Sequence, residues 1–76
     1  MVIYTTAWCG YCHRLKRQLD RANVAYHEVD IEQDATAAGF VMSVNRGNAT
    51  VPTVVFPDGG VATNPSLADV EDRLAA

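Results

Sequence analysis

Two thiols three positions apart, in Trp8-Cys9-Gly10-Tyr11-Cys12, are the only cysteines in the chain and the side chains best suited to do chemistry. They follow an apolar run, Val2-Ile3-Tyr4, and precede a helical pattern. The first turn of a helix has backbone N–H groups without partners, and the summed peptide dipoles place partial positive charge there. A sulfur at that point is favoured as thiolate over thiol, the reactive form in thiol–disulfide exchange. Cys9 is therefore the expected nucleophile. Cys12 lies one turn deeper, where its sulfur reaches Cys9 but is shielded from solvent, which makes it the expected resolving thiol. The same helix carries Arg14, Lys16, Arg17 and Arg21, four of the six basic residues. They read mainly as a solvated face, with Arg14 the one placed to support a thiolate or an incoming ligand. Trp8 is expected at the rim of the groove or capping the core beneath the helix, and Tyr11 exposed beside the sulfur.

The elements that must position these thiols follow from periodicity. Val2 to Thr5 reads as a buried strand, and Gly10 to Ala22 as a helix with Cys12, Leu15 and Leu19 on one face and the arginines opposite. A second strand, Tyr26 to Ile31, is polar at His27, Glu28 and Asp30; His27 faces solvent, and His13 is a partly exposed helix residue. Gln33 to Val44 is the next helix, with Ala37, Phe40, Val41 and Val44 on its apolar face. After a loop, Asn45 to Thr50, come two β-rich runs, Thr53 to Phe56 and Gly60 to Thr63, joined by the turn Pro57-Asp58-Gly59. Ser66 is the N-cap of a last helix that buries Leu67, Val70 and Leu74. Tyr4, Phe40 and Phe56 read as core.

Seventy-six residues form one domain, 1–76, with a single small core. A net charge of -3 and a pI near 5.0 argue against nucleic acid as the main partner. No apolar stretch reaches the ~18 residues of a membrane span, and no basic leader precedes a hydrophobic segment, so the expected location is the cytoplasm. In that reducing compartment a lone Cys-x-x-Cys is more often catalytic than structural.

Strand, helix, strand, helix, strand, strand, helix is the order of the thioredoxin fold, an α/β architecture with a four-stranded mixed sheet flanked by three helices. The whole chain resembles a glutaredoxin-class protein of that fold: Cys9-Gly10-Tyr11-Cys12 is similar to the family's active site, and Thr50-Val51-Pro52 to its Thr-Val-Pro loop. The resemblance implies that Pro52 is cis and faces the disulfide; local sequence alone gives an X-Pro bond only about a 5–6% chance of being cis. The backbone of Val51 would then pair with a bound thiol compound or peptide.

Departures from the family pattern carry more discrimination. Glutathione-binding members usually have lysine three residues before the nucleophile, where this chain has Thr6, and Gly-Gly with a following aspartate where it has Thr63-Asn64-Pro65-Ser66. Both missing features recognise charge, so the pocket suits a polar, uncharged thiol. The chain thereby resembles the mycoredoxins of actinobacteria, which implies mycothiol as thiol co-substrate. It also implies mycothiolated proteins as clients, NADPH used indirectly through mycothione reductase, no tightly bound cofactor or metal, and a monomer. Trp8, Tyr11, Arg14, Val51, Pro52, Asn64 and Ser66 are the implied ligand-binding residues.

Other readings stand beside this one. Cys9-Gly10-Tyr11-Cys12-His13 matches the c-type haem attachment motif, with Met42 as a second axial ligand, but the βαβ context points to redox exchange. Two cysteines supply half of a tetrahedral zinc set. Gly10 leaves room for a glutaredoxin that bridges an iron–sulfur cluster between two subunits. A dithiol donor to ribonucleotide reductase, recharged by thioredoxin reductase, is of similar length, although such donors tend to carry an aromatic and basic tail motif that Asn64-Pro65-Ser66 lacks.

Overall fold

The structure is a computed structural model and describes residues 1–75. Its elements are β1 (Val2–Thr5), α1 (Gly10–Arg21), β2 (His27–Asp30), α2 (Ala35–Val44), β3 (Thr53–Val55), β4 (Val61–Thr63) and α3 (Leu67–Ala75), in the order expected from sequence. The four strands form one mixed sheet, ordered β2-β1-β3-β4. β1 runs parallel to β2 and antiparallel to β3, and β3 and β4 are antiparallel. The parallel pair needs a crossover, which α1 provides.

Alternation along β1 sends Ile3 and Thr5 to one face of the sheet and Tyr4 to the other. On the Ile3 face, α1 and α3 contribute Leu15, Leu19 and Val70 to a cluster with Ile3, Val54 and Phe56. Leu19 is fully buried there, and burial of a side chain of that size contributes roughly 1.5–3 kcal/mol. On the other face α2 lays Ala37 and Val41 against Ile31, with Tyr4, Phe40, Val29 and Val51 packed around them. The Tyr4 and Phe40 rings meet at 5.2 Å between centroids, and both are partly buried at the edge of this cluster rather than at its centre.

Caps fix the ends of these helices. Asp34 accepts the Ala37 N–H at 3.0 Å to start α2. Ser66 and Asp69 form a reciprocal cap on α3: the Ser66 hydroxyl accepts the Asp69 N–H (3.0 Å), while the Asp69 carboxylate accepts the Ser66 N–H (3.2 Å). In the β3–β4 turn Gly59 takes a φ of 87°, a conformation that suits glycine.

Two residues expected inside are exposed. Leu74 is 36% exposed in the last turn of α3, where its neighbour Arg73 turns its guanidinium onto the Phe56 ring, 4.4 Å from the centroid. Val44 is 39% exposed at the last position of α2, where the backbone turns away through Asn45 and the positive-φ Arg46. No helix among the described residues is long and apolar enough to cross a membrane.

Candidate active site

Cys9 is the N-cap of α1, with extended backbone (φ -81°, ψ 112°), and its Sγ accepts the N–H of Cys12 at 3.2 Å. Sulfur thus takes the place that a serine or aspartate oxygen fills at other helix starts. The loop before it is held by the Thr6 carbonyl, which accepts the Cys9 N–H at 3.3 Å. As a thiol, Cys9 donates to the Val51 carbonyl at 3.7 Å.

Cys12 stands one turn on and is fully buried, against 5% exposure for Cys9. Burial, and then the hydrogen bond with Cys9, raise its pKa to about 12, against weaker lowering by a Thr6 backbone hydrogen bond and the Lys16 charge. Both cysteines are free thiols. The structure therefore separates their characters: one sulfur, nearly buried, caps the start of α1, and the other is held neutral a turn deeper.

Val51 belongs to the loop that faces the thiols, and the Val51–Pro52 peptide is cis, as the resemblance implied. Pro52 is buried, and its carbonyl accepts the Asn64 N–H at 2.8 Å, tying this loop to the segment before α3. Tyr11, Arg14, Asn64 and Ser66 line one groove of about 220 Å³, together with Leu15, Gln18, Pro65 and Leu67. Four sequence-predicted residues from two distant segments are thus brought together. Trp8 is not among them. At 73% exposure it projects from the loop before Cys9, so it does not cap the core. Tyr11 is 64% exposed beside the thiol, as expected.

Sequence reasoning missed Asn45. Its side-chain amide donates to the Val41 carbonyl (2.8 Å) and to Thr53 Oγ1 (3.1 Å), and its oxygen accepts from the Thr63 hydroxyl (2.7 Å). Thr53 in turn donates to the Thr50 carbonyl at 2.8 Å, so one amide links α2, β3, β4 and the Thr50-Val51-Pro52 loop. The only available signal was its place after an apolar helix, where asparagine is an ordinary stop residue.

The far side of α1 is polar. Glu28 accepts from Lys16 (2.8 Å) and Thr5 (2.7 Å), which hold its carboxyl below the usual range. His13 is exposed, and its imidazole Nε2 bonds the Ala7 carbonyl at 2.7 Å. Among the described residues no three His, Cys, Asp or Glu side chains cluster as metal ligands.

This α/β fold, with a Cys-x-x-Cys at the start of its first helix, defines a thioredoxin-fold disulfide oxidoreductase of the glutaredoxin class. The glutaredoxin family model matches residues 1–61, and the chain belongs to that family. A glutaredoxin-class protein of Mycobacterium tuberculosis is 58% identical over 74 residues, covering 97% of this chain and 88% of the relative. Mycoredoxin 1 of Corynebacterium glutamicum is 45% identical over 76 residues, 100% of this chain and 94% of the relative, so the chain is a mycoredoxin homologue. Among solved structures, the thioredoxin-like protein BC3987 superposes with a TM-score of 0.78 at 31% identity, covering 93% of this chain and 94% of its own.

Proposed function

We propose that this protein reduces mycothiol–protein mixed disulfides, acting as a single-domain cytoplasmic monomer over residues 1–76. The Cys9 thiolate attacks the mycothiol sulfur. A Cys9–mycothiol disulfide forms, the client sulfur leaves as thiolate and takes a proton from solvent. A second mycothiol then attacks that disulfide, releasing Cys9 and giving mycothiol disulfide, which an NADPH-dependent mycothione reductase recycles. Alternatively Cys12 attacks Cys9, expelling mycothiol and closing the internal disulfide.

The observation that carries this reading is the groove beside Cys9. Its polar lining comes mainly from uncharged groups, Tyr11, Gln18, Asn64 and Ser66, with Arg14 as its one charge. Such a wall suits hydroxyl-rich inositol and sugar rings, whose many donors and acceptors match amides and hydroxyls. The loop carbonyl of Val51 and the side chains of Trp8 and Tyr11 complete the binding surface, with Pro52 packed beneath. The raised pKa of Cys12 supports the one-thiol route, because a thiol that keeps its proton at neutral pH attacks slowly.

The test is NADPH consumption on one mixed-disulfide substrate with three recharging systems: mycothiol with mycothione reductase, glutathione with glutathione reductase, and thioredoxin reductase alone. The expected result is turnover confined to the mycothiol system. Recharging by thioredoxin reductase alone would replace this reading with a dithiol donor, and efficient turnover with glutathione would remove the argument from the mainly uncharged groove lining.

A further inference from the structure

The exposed side of α1 carries a feature that thiol exchange does not use. Arg14, Arg17 and Arg21 are spaced by three and four residues, which places them on one face of the helix, and all three are exposed. Like charges at these spacings repel each other, so a helix gains nothing from them by itself. Nor does the rest of the chain neutralise them. The single ion pair among the described residues joins Lys16 to Glu28. Asp20, the only acidic residue on this helix, instead accepts the Tyr26 hydroxyl at 3.0 Å. The helix holds four of the chain's six basic residues but just one of its nine acidic ones, so the molecule is strongly polarised around a net charge of -3.

The stripe begins at the site. Arg14 lines the groove beside Tyr11, and the two residues flanking Cys9 on the surface, Trp8 and Tyr11, are the most exposed large hydrophobic side chains. Exposed Trp, Tyr and Arg are the side chains that most often anchor protein–protein contacts. At a rise of about 1.5 Å per residue, the arginines lie about 6 to 16 Å along the helix from its start. That length exceeds what a small thiol ligand can reach but matches a patch on a protein surface.

We propose that Arg14, Arg17 and Arg21, with Trp8 and Tyr11, form the docking surface for folded client proteins that carry an acidic patch beside the modified cysteine. A folded protein is favoured over a long polyanion because the remaining surface of this chain is acidic and repels one. A local carboxylate patch meets only the stripe. The charges steer encounter and orient the client disulfide over Cys9, so their effect falls on the association rate and weakens with salt.

The inference rests on the thiol-exchange reading, and the test separates the two. The fully reduced protein is mixed in excess, in single turnover, with two forms of a small single-cysteine protein carrying 2-mercaptoethanol on its thiol. One form has an acidic patch about 10 Å from the cysteine; in the other the patch carboxylates are changed to amides. Hydroxyethyl disulfide serves as the small substrate. The acidic client is expected to react about tenfold faster than its amide form at low salt, and to lose that advantage near 0.3 M salt. In Arg17→Glu/Arg21→Glu the preference disappears or inverts while hydroxyethyl disulfide reacts as in the wild type. Arg17→Gln/Arg21→Gln, which adds no repulsion, gives an intermediate loss. Equal rates for both clients, or an equal fall for the small disulfide, would overturn the inference. So would stripe-dependent binding of heparin or of phosphatidylglycerol vesicles at physiological salt with no client preference. Failure of the wild type on every disulfide would instead remove the thiol-exchange reading beneath it.

Discussion

The two faces of the sheet are built differently. Six buried side chains from β1, α1, β3, α3 and the residue after β3 interlock on one face, whereas the α2 face buries three; both are ringed by partly buried neighbours. The thiols belong to the dense face, since Cys12 continues the Leu15 and Leu19 stripe of α1. Val51, whose carbonyl meets Cys9, packs with the thin face. The thiol pair thus lies at the seam between a helix held by packing and a loop tied by hydrogen bonds. The difference teaches that sulfur placement is secured by apolar burial, while substrate placement depends on a few polar contacts.

The largest effect is expected at the seam itself. Cys9→Ser should lower mixed-disulfide turnover by about a thousandfold or more, whereas Cys12→Ser should stay within about tenfold of the wild type. Steady-state assays with the mycothiol system read both. Equal losses would mean that the buried thiol is needed in every cycle and that the division of roles is wrong.

Next come the two faces. Leu19→Ala should cost about 2–5 kcal/mol in urea denaturation, and Val41→Ala on the thin face about 2 kcal/mol. A larger cost for Val41 would break the comparison. Asn45→Ala should cost about 1–3 kcal/mol, because it strips the Thr63 hydroxyl and the Val41 carbonyl of partners. Its sharper signature is a raised KM with kcat little changed, as expected if the amide positions the Val51 loop and leaves Cys9 alone.

Alkaline pH probes the dense face. The pKa of Cys12 is raised from 9.0 to about 12, so an unfolded chain releases this proton before the native one does. Its contribution is therefore complete below about pH 9 and lost progressively as pH rises toward 12. Tyr26, raised to about 12 by burial and by its bond to Asp20, adds to the same decline. Urea midpoints measured from pH 7 to 10 should fall, and Cys12→Ser should flatten the curve. An unchanged slope in that variant would contradict the assignment.

The smallest effect is expected at Glu28, whose carboxyl is held low by Lys16 and Thr5. It contributes stability above the usual glutamate range, lost as acid protonates it in the native state. Its side chain is 38% exposed, so Glu28→Gln should cost less than about 1 kcal/mol by urea denaturation at pH 7.

Local patterns in the sequence were enough for the element order, the sulfur pair and the core stripe of α1. A helix period, a β-rich hairpin and a Cys-x-x-Cys at a strand–helix junction depend only on neighbours a few residues apart. The same limit explains the errors. Leu74 continues an apolar period, yet it lies exposed in the last turn of α3, where Arg73 packs on Phe56 across a distance in sequence that no local pattern encodes. Val44 likewise continues the apolar face of α2, yet the chain turns away after it and leaves it 39% exposed.

The sequence by itself singled out the sulfur pair as the atoms suited to exchange chemistry, because a cysteine at a helix start meets the dipole and the free N–H groups of its own helix. Tertiary structure alone decided what those atoms meet. It set Val51 against Cys9 across 42 residues, joined Tyr11 and Arg14 to Asn64 and Ser66 in one groove, and made Asn45 the tie that holds the facing loop. Those contacts follow from how the sheet orders its strands and from which faces are buried, and both are properties of the packed chain as a whole.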